Sequence, residues 1–157
     1  MKAKIILLLF TTTVLFSCSE KGIYNKFIEF PENHRWFKSD KKTFNFTITD
    51  DTKLYDVVFK FSHVYDYQFD SVPIRIDITN PSGESEFHMI DFNIKDSSGK
   101  PLADCSGDVC DMTMKIIEKS KLTKGMYKIE IYHDFKNSYL PNVIGIGLEV
   151  DSIKDNK

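Results

Sequence analysis

Apolar and polar residues alternate along most of the chain with a period of two. Phe44, Phe46 and Ile48 share one face of 43–49, and Tyr55, Val57, Phe59 and Phe61 share one face of 54–64. Val72, Ile74, Ile76 and Ile78 alternate with Pro73, Arg75, Asp77 and Thr79, and Ile90, Phe92 and Ile94 line one face of 86–95. Met112, Met114 and Ile116 form a shorter run. Tyr127, Ile129 and Ile131, then Ile144, Ile146, Leu148 and Val150, complete the series, with a less regular run near 23–30. This period buries one face of a strand and leaves the other to water. Turn-forming residues fall between the runs: Asp50-Asp51, Asn80-Pro81-Ser82-Gly83, Asp96-Ser97-Ser98-Gly99 and Lys124-Gly125. No long segment carries a helical stripe. The expected fold is all-β, an antiparallel β-sandwich of jelly-roll or immunoglobulin-like type with about seven to eight strands. Pro73 predicts an edge strand, because it has no N–H to give a ladder, and Gly145 and Gly147 predict a bulge or a close backbone approach.

The first residues break this pattern. Lys2 and Lys4 precede an apolar stretch from Ile5 to Phe16, interrupted by Thr11, Thr12 and Thr13. It has the length of a signal-peptide core and is too short to span a bilayer. It ends in Leu15-Phe16-Ser17-Cys18, which resembles the lipobox of bacterial lipoproteins. The resemblance implies that the signal is removed and that the Cys18 thiol is acylated, and two or three acyl chains give stable anchoring. The expected organisation is a signal peptide over 1–17, the lipidated cysteine and a short tether over 18–22, and one domain over 23–157 with a flexible tail. The chain then sits in the cell envelope, held to the inner or outer membrane and facing the periplasm.

Composition narrows the chemistry. The formal charge of −2 becomes −4 once Lys2 and Lys4 leave, which argues against a nucleic-acid partner. Cys105 and Cys110 enclose a glycine-containing loop and, in an exported domain, predict a disulfide. Asp104, Asp108 and Asp111 surround that pair and offer calcium as an alternative role. His34, His63, His88 and His133 form no HxH or HExxH pair. There is no G-x-S-x-G elbow and no phosphate-binding glycine loop. The expectation is therefore no catalytic residues, no cofactor and no metal. Trp36, the only tryptophan, either plugs one end of the sandwich or joins Tyr65, Tyr67 and Tyr139 in a polar-aromatic binding rim.

The order of these features is similar to that of the gliding-motility lipoprotein GldH family of Bacteroidota. The resemblance runs from Cys18 through Trp36, the Phe44-Asn45-Phe46-Thr47-Ile48 strand, Tyr55-Asp56-Val57-Val58-Phe59 and Tyr65-Asp66-Tyr67. It continues through the two Ser-Gly turns and Gly125-Met126-Tyr127 to the segment from Leu140 to Val150. Ser62-His63-Val64 and Leu102-Ala103-Asp104 depart from the family pattern, which marks a divergent member. The resemblance implies a non-enzymatic, lipid-anchored protein that offers an interaction surface to a gliding or type IX secretion machine, with other envelope proteins as partners. The alternative is a glycan- or peptide-binding envelope lipoprotein. Asp70-Ser71-Val72 and Asp151-Ser152-Ile153 resemble short O-glycosylation sites of the same phylum, and a mobile tail favours Ser152.

Overall fold

A computed structural model describes residues 22–153. The expected signal peptide, Cys18 and the tail beyond Ile153 lie outside these residues. Eleven strands follow one another: β1 (Tyr24–Glu29), β2 (Trp36–Phe37), β3 (Lys42–Ile48), β4 (Leu54–Val64), β5 (Ser71–Thr79), β6 (Ser85–Asn93), β7 (Asp104–Ser106), β8 (Val109–Lys121), β9 (Gly125–His133), β10 (Tyr139–Leu140) and β11 (Val143–Ile153). All pair antiparallel, in a five-stranded sheet β1-β11-β4-β8-β7, a four-stranded sheet β3-β9-β5-β6, and a small β10-β2 pair. The eight long strands are the eight runs of alternation. The three extra strands span two or three residues each, too short to show a period.

The two large sheets face each other across one core. Tyr55, Val57, Phe59 and Phe61 of β4 and Ile146, Leu148 and Val150 of β11 meet Ile74, Ile76, Ile129, Ile131, Phe44 and Ile48 from the other sheet, all at most 1 % exposed. Aromatic edges lock this interior, with Phe92 set edge-on to both Phe59 and Phe61 at 5.5 Å. The strand β8 is longer than its apolar run, because register shifts opposite Tyr55, Val57 and Val58 break the alternation there.

Two details concern expectations from the sequence. The strand containing Pro73 is not an edge strand: β5 lies between β9 and β6. Proline is accommodated because β9 pairs only with Ile74–Thr79, and beyond it the Pro73 carbonyl accepts from the Asp134 N–H at 2.9 Å. In an antiparallel strand a residue's N–H and C=O point to the same side, so the missing donor faces the end of the ladder. Gly145 and Gly147 serve a close approach, as their sequence context predicts. The Phe27 ring of β1 lies over both, and a Cβ on Gly145 would sit 2.5 Å from that ring and 2.6 Å from the Ile28 carbonyl oxygen.

The registers give the sandwich two distinct poles. At one lie the start of β1, the end of β11 and the short turns 49–53, 80–84 and 122–124. Two of the turns expected from sequence share one device. Asn80 Oδ1 accepts from the N–H groups of Ser82 and Glu84, and Asp96 Oδ1 accepts from those of Ser98 and Lys100, with Gly83 and Gly99 in the left-handed region (φ 87° and 82°). At the other pole the connections are long: 30–41, 65–70, 94–108 and 134–142. Long connections on a rigid sandwich are where binding groups concentrate.

Candidate functional site

The expected rim residues all lie at the pole of long connections, but the fold gives them different tasks. Trp36 is not on a rim. It is 0 % exposed, stacked on Phe30 at 5.4 Å, and its Nε1–H donates to the Asp40 carbonyl at 2.8 Å. The β2–β10 pairing, Trp36 opposite Leu140 and Phe37 opposite Tyr139, folds the 30–41 segment down as a plug. His133 sits edge-on to the indole at 5.0 Å, donates from Nε2 to the Trp36 carbonyl at 2.9 Å and accepts the Phe135 N–H on Nδ1 at 3.2 Å. Both ring nitrogens are satisfied, and the partners set the tautomer. Tyr139 is half-buried above this plug, 5.8 Å from Phe37, with the Arg35 guanidinium 4.6 Å from its ring centre.

Tyr65 and Tyr67 come together with the cysteines. The disulfide joins Cys105 to Cys110, directly opposed in the β7–β8 hairpin. The Tyr65 N–H donates to the Asp108 carbonyl at 2.9 Å, which pins the 65–70 loop to this hairpin. Between loop and hairpin lies a cavity of about 80 Å³, whose walls include His63, Tyr65, Tyr67, Ile94, Pro101 and the disulfide. Tyr65 is 62 % exposed beside it, whereas Tyr67 is buried. Sequence reasoning missed His63 here. Its signal was its inward phase at the end of β4, two residues before Tyr65.

Asp104, Asp108 and Asp111 do not gather into a metal site: among the described residues no group of three or more potential ligands converges. Asp111 instead takes a hydrogen bond from the Ser62 hydroxyl. Ser71 is exposed at the start of β5, opposite Asn93. Ser152, expected in a mobile tail, is half-buried inside β11 in register with Tyr55. The pairing of β11 with β4 runs on to Ile153, so the chain is held there on its ladder.

Burial pushes the imidazoles of both His63 and His133 below their ordinary pKa of 6.5, against hydrogen bonds to the Val64 and Trp36 carbonyls that act in the opposite sense. The unfolded chain therefore takes up protons near its ordinary value of about 6.5 while the folded chain still refuses them. Stability is expected to be full above that value and to decline as pH falls from 7.5 to 5. Melting temperature measured across this range checks it, and a flat profile would show that neither ring is held neutral.

The described residues form an all-β antiparallel sandwich with one pole of long, aromatic connections braced by a disulfide. The profile of the GldH lipoprotein family matches residues 22–150, and the chain belongs to that family. It is 24 % identical over 132 residues to a protein of Flavobacterium johnsoniae, "Gliding motility lipoprotein GldH", covering 84 % of this chain and 81 % of that one. Among solved structures, dimeric latent PorU from Porphyromonas gingivalis aligns over 89 % of this chain and 14 % of its own, at 9 % identity and a TM-score of 0.35. A family 35 carbohydrate-binding module from Clostridium thermocellum aligns over 80 % and 91 %, at 15 % identity and the same TM-score of 0.35. Likenesses this low carry no functional argument.

Proposed function

We propose that this chain is a non-enzymatic, lipid-anchored envelope protein that offers one pole of its sandwich to a gliding- or type IX secretion-associated machine. The family match over residues 22–150 is the observation that carries this reading. The arrangement of the poles supports it. Cys18 precedes Gly22 by four residues, and four residues reach at most ~14 Å when fully extended. Acyl chains on Cys18 therefore hold the pole where β1 begins close to the bilayer, on the inner or outer membrane with the domain in the periplasm. The opposite pole, with Tyr65, Phe37 and Tyr139, then points away from the lipid toward protein partners.

The test is purification of the tagged full-length protein from detergent-solubilised cells, beside a Cys18→Ala variant. Envelope proteins are expected at near-stoichiometric amounts with the parent and at background with the variant, which moves to the soluble fraction. Background recovery with both forms would end the machine reading. Full partner recovery by the soluble variant would end the anchoring part alone.

A further inference from the structure

The sandwich leaves one long strand edge open on its side. β6 is the last strand of the four-stranded sheet, and among the described residues no strand pairs with its outer edge. The ladder fixes the direction of its backbone groups. The Asn80 N–H donates to the Glu84 carbonyl at 2.9 Å and the Ile94 N–H to the Asp70 carbonyl at 2.8 Å, and the β5–β6 register runs between these two pairs without a shift. Hydrogen-bonded pairs alternate along an antiparallel ladder, so Glu86, His88, Ile90 and Phe92 turn their N–H and C=O toward β5. Ser85, Phe87, Met89, Asp91 and Asn93 turn theirs outward. From Ser85 to Met89 the strand is exposed on both faces.

Open edges are commonly guarded by lysine, proline, a bulge or a very short strand. The other edges here follow that rule. β1 carries Lys26 and β3 carries Lys42, β7 is three residues long, and β8 carries Lys115, Lys119 and Lys121 where it runs past β7. β6 has no lysine, arginine or proline and no bulge. Its two faces differ in chemistry. On the outer face Phe87 and Met89 are 66 % and 57 % exposed. On the face toward the other sheet, Glu86 joins Glu84, Ile78, Ile117 and Leu122 around a cleft of about 260 Å³ whose walls include no basic residue. A strand laid along β6 presents its side chains alternately to these two faces. Apolar side chains suit the Phe87 and Met89 face. Long basic side chains suit the other, with their methylenes on Ile117 and Leu122 and their charge beside the carboxylates.

We infer that β6 takes up an extended segment of a partner protein, in which apolar residues alternate with arginine or lysine, as an added strand on the four-stranded sheet. This lateral surface goes beyond the envelope role and rests neither on the anchor nor on the far pole. Fluorescence anisotropy of a labelled peptide of the length of β6, alternating valine and arginine, titrated with the detergent-solubilised full-length protein, tests it. Saturable binding is expected, and a valine–glutamate peptide is expected to bind at least about 10-fold more weakly. Glu86→Lys is expected to weaken the arginine peptide about 10-fold. Met89→Pro removes an outward N–H and no bond of the β5–β6 ladder, so it is expected to melt with the parent while binding falls about 10-fold. Methylating the peptide's backbone nitrogens at the valines alone or at the arginines alone is expected to abolish binding in one case and spare it in the other, whatever the stability of any variant. No binding by the parent, equal binding of the glutamate peptide, or the same effect from both methylation patterns overturns the inference. Self-association of the peptide-free protein that Met89→Pro removes would give the edge to a second copy and also overturns it.

Discussion

Replacing Trp36 with alanine is expected to destabilise the domain by about 3–5 kcal/mol, the range for emptying a large aromatic site in a packed core. The indole is fully buried, stacked on Phe30, and closes one end of the sandwich. Its removal empties that end. The Asp40 carbonyl loses its donor, and His133 loses the ring it is set against. Trp36→Phe keeps much of the packing and loses chiefly the Nε1–H bond, so a loss of about 1–2 kcal/mol is expected. Urea unfolding of the three proteins measures both values. A Trp36→Ala midpoint near that of the parent would mean that the plug is not part of the cooperative core.

The second large effect is expected at Gly145. Its Cβ would meet the Phe27 ring at 2.5 Å and the Ile28 carbonyl oxygen at 2.6 Å. An aromatic ring can turn aside, but a backbone oxygen in a paired strand cannot. Gly145→Val must therefore push β1 away from β11, at about 2–4 kcal/mol. Gly147→Ala meets the Lys26 carbonyl oxygen at 2.9 Å and is expected to cost less. Thermal unfolding compared across the three proteins decides the matter. If Gly145→Val melts with the parent, the close packing of β1 on β11 is dispensable.

The fold was legible wherever one face of a strand is buried. In β4 the sequence pattern over 54–64 and the observed strand coincide, because every second residue from Tyr55 to Phe61 enters the core. Legibility failed where pairing depends on distant segments. Nothing local marks 36–37 and 139–140 as partners, yet the β2–β10 pair sets Trp36 opposite Leu140 in the core and leaves Tyr139 half-buried opposite Phe37. The cavity was invisible for the same reason. Its walls come from the end of β4, the connection after β6 and the β7–β8 hairpin, and only the sheet order brings them together. The cysteine pair was legible because its two members are five residues apart in sequence.

The placement of β1 has a mechanical consequence. It is an edge strand, antiparallel to β11, and it starts at the pole nearest the proposed anchor. Tension between a tether at Gly22 and a load on the opposite pole runs along the β1 axis. The six register pairs from Tyr24–Val150 to Glu29–Gly145 then resist sliding together. A strand pulled lengthwise in this way must break its ladder in shear, whereas one peeled sideways opens bond by bond. In the proposed arrangement β1 would therefore be loaded lengthwise, with its whole register to β11 sharing the load, and it would yield more readily to force applied across it.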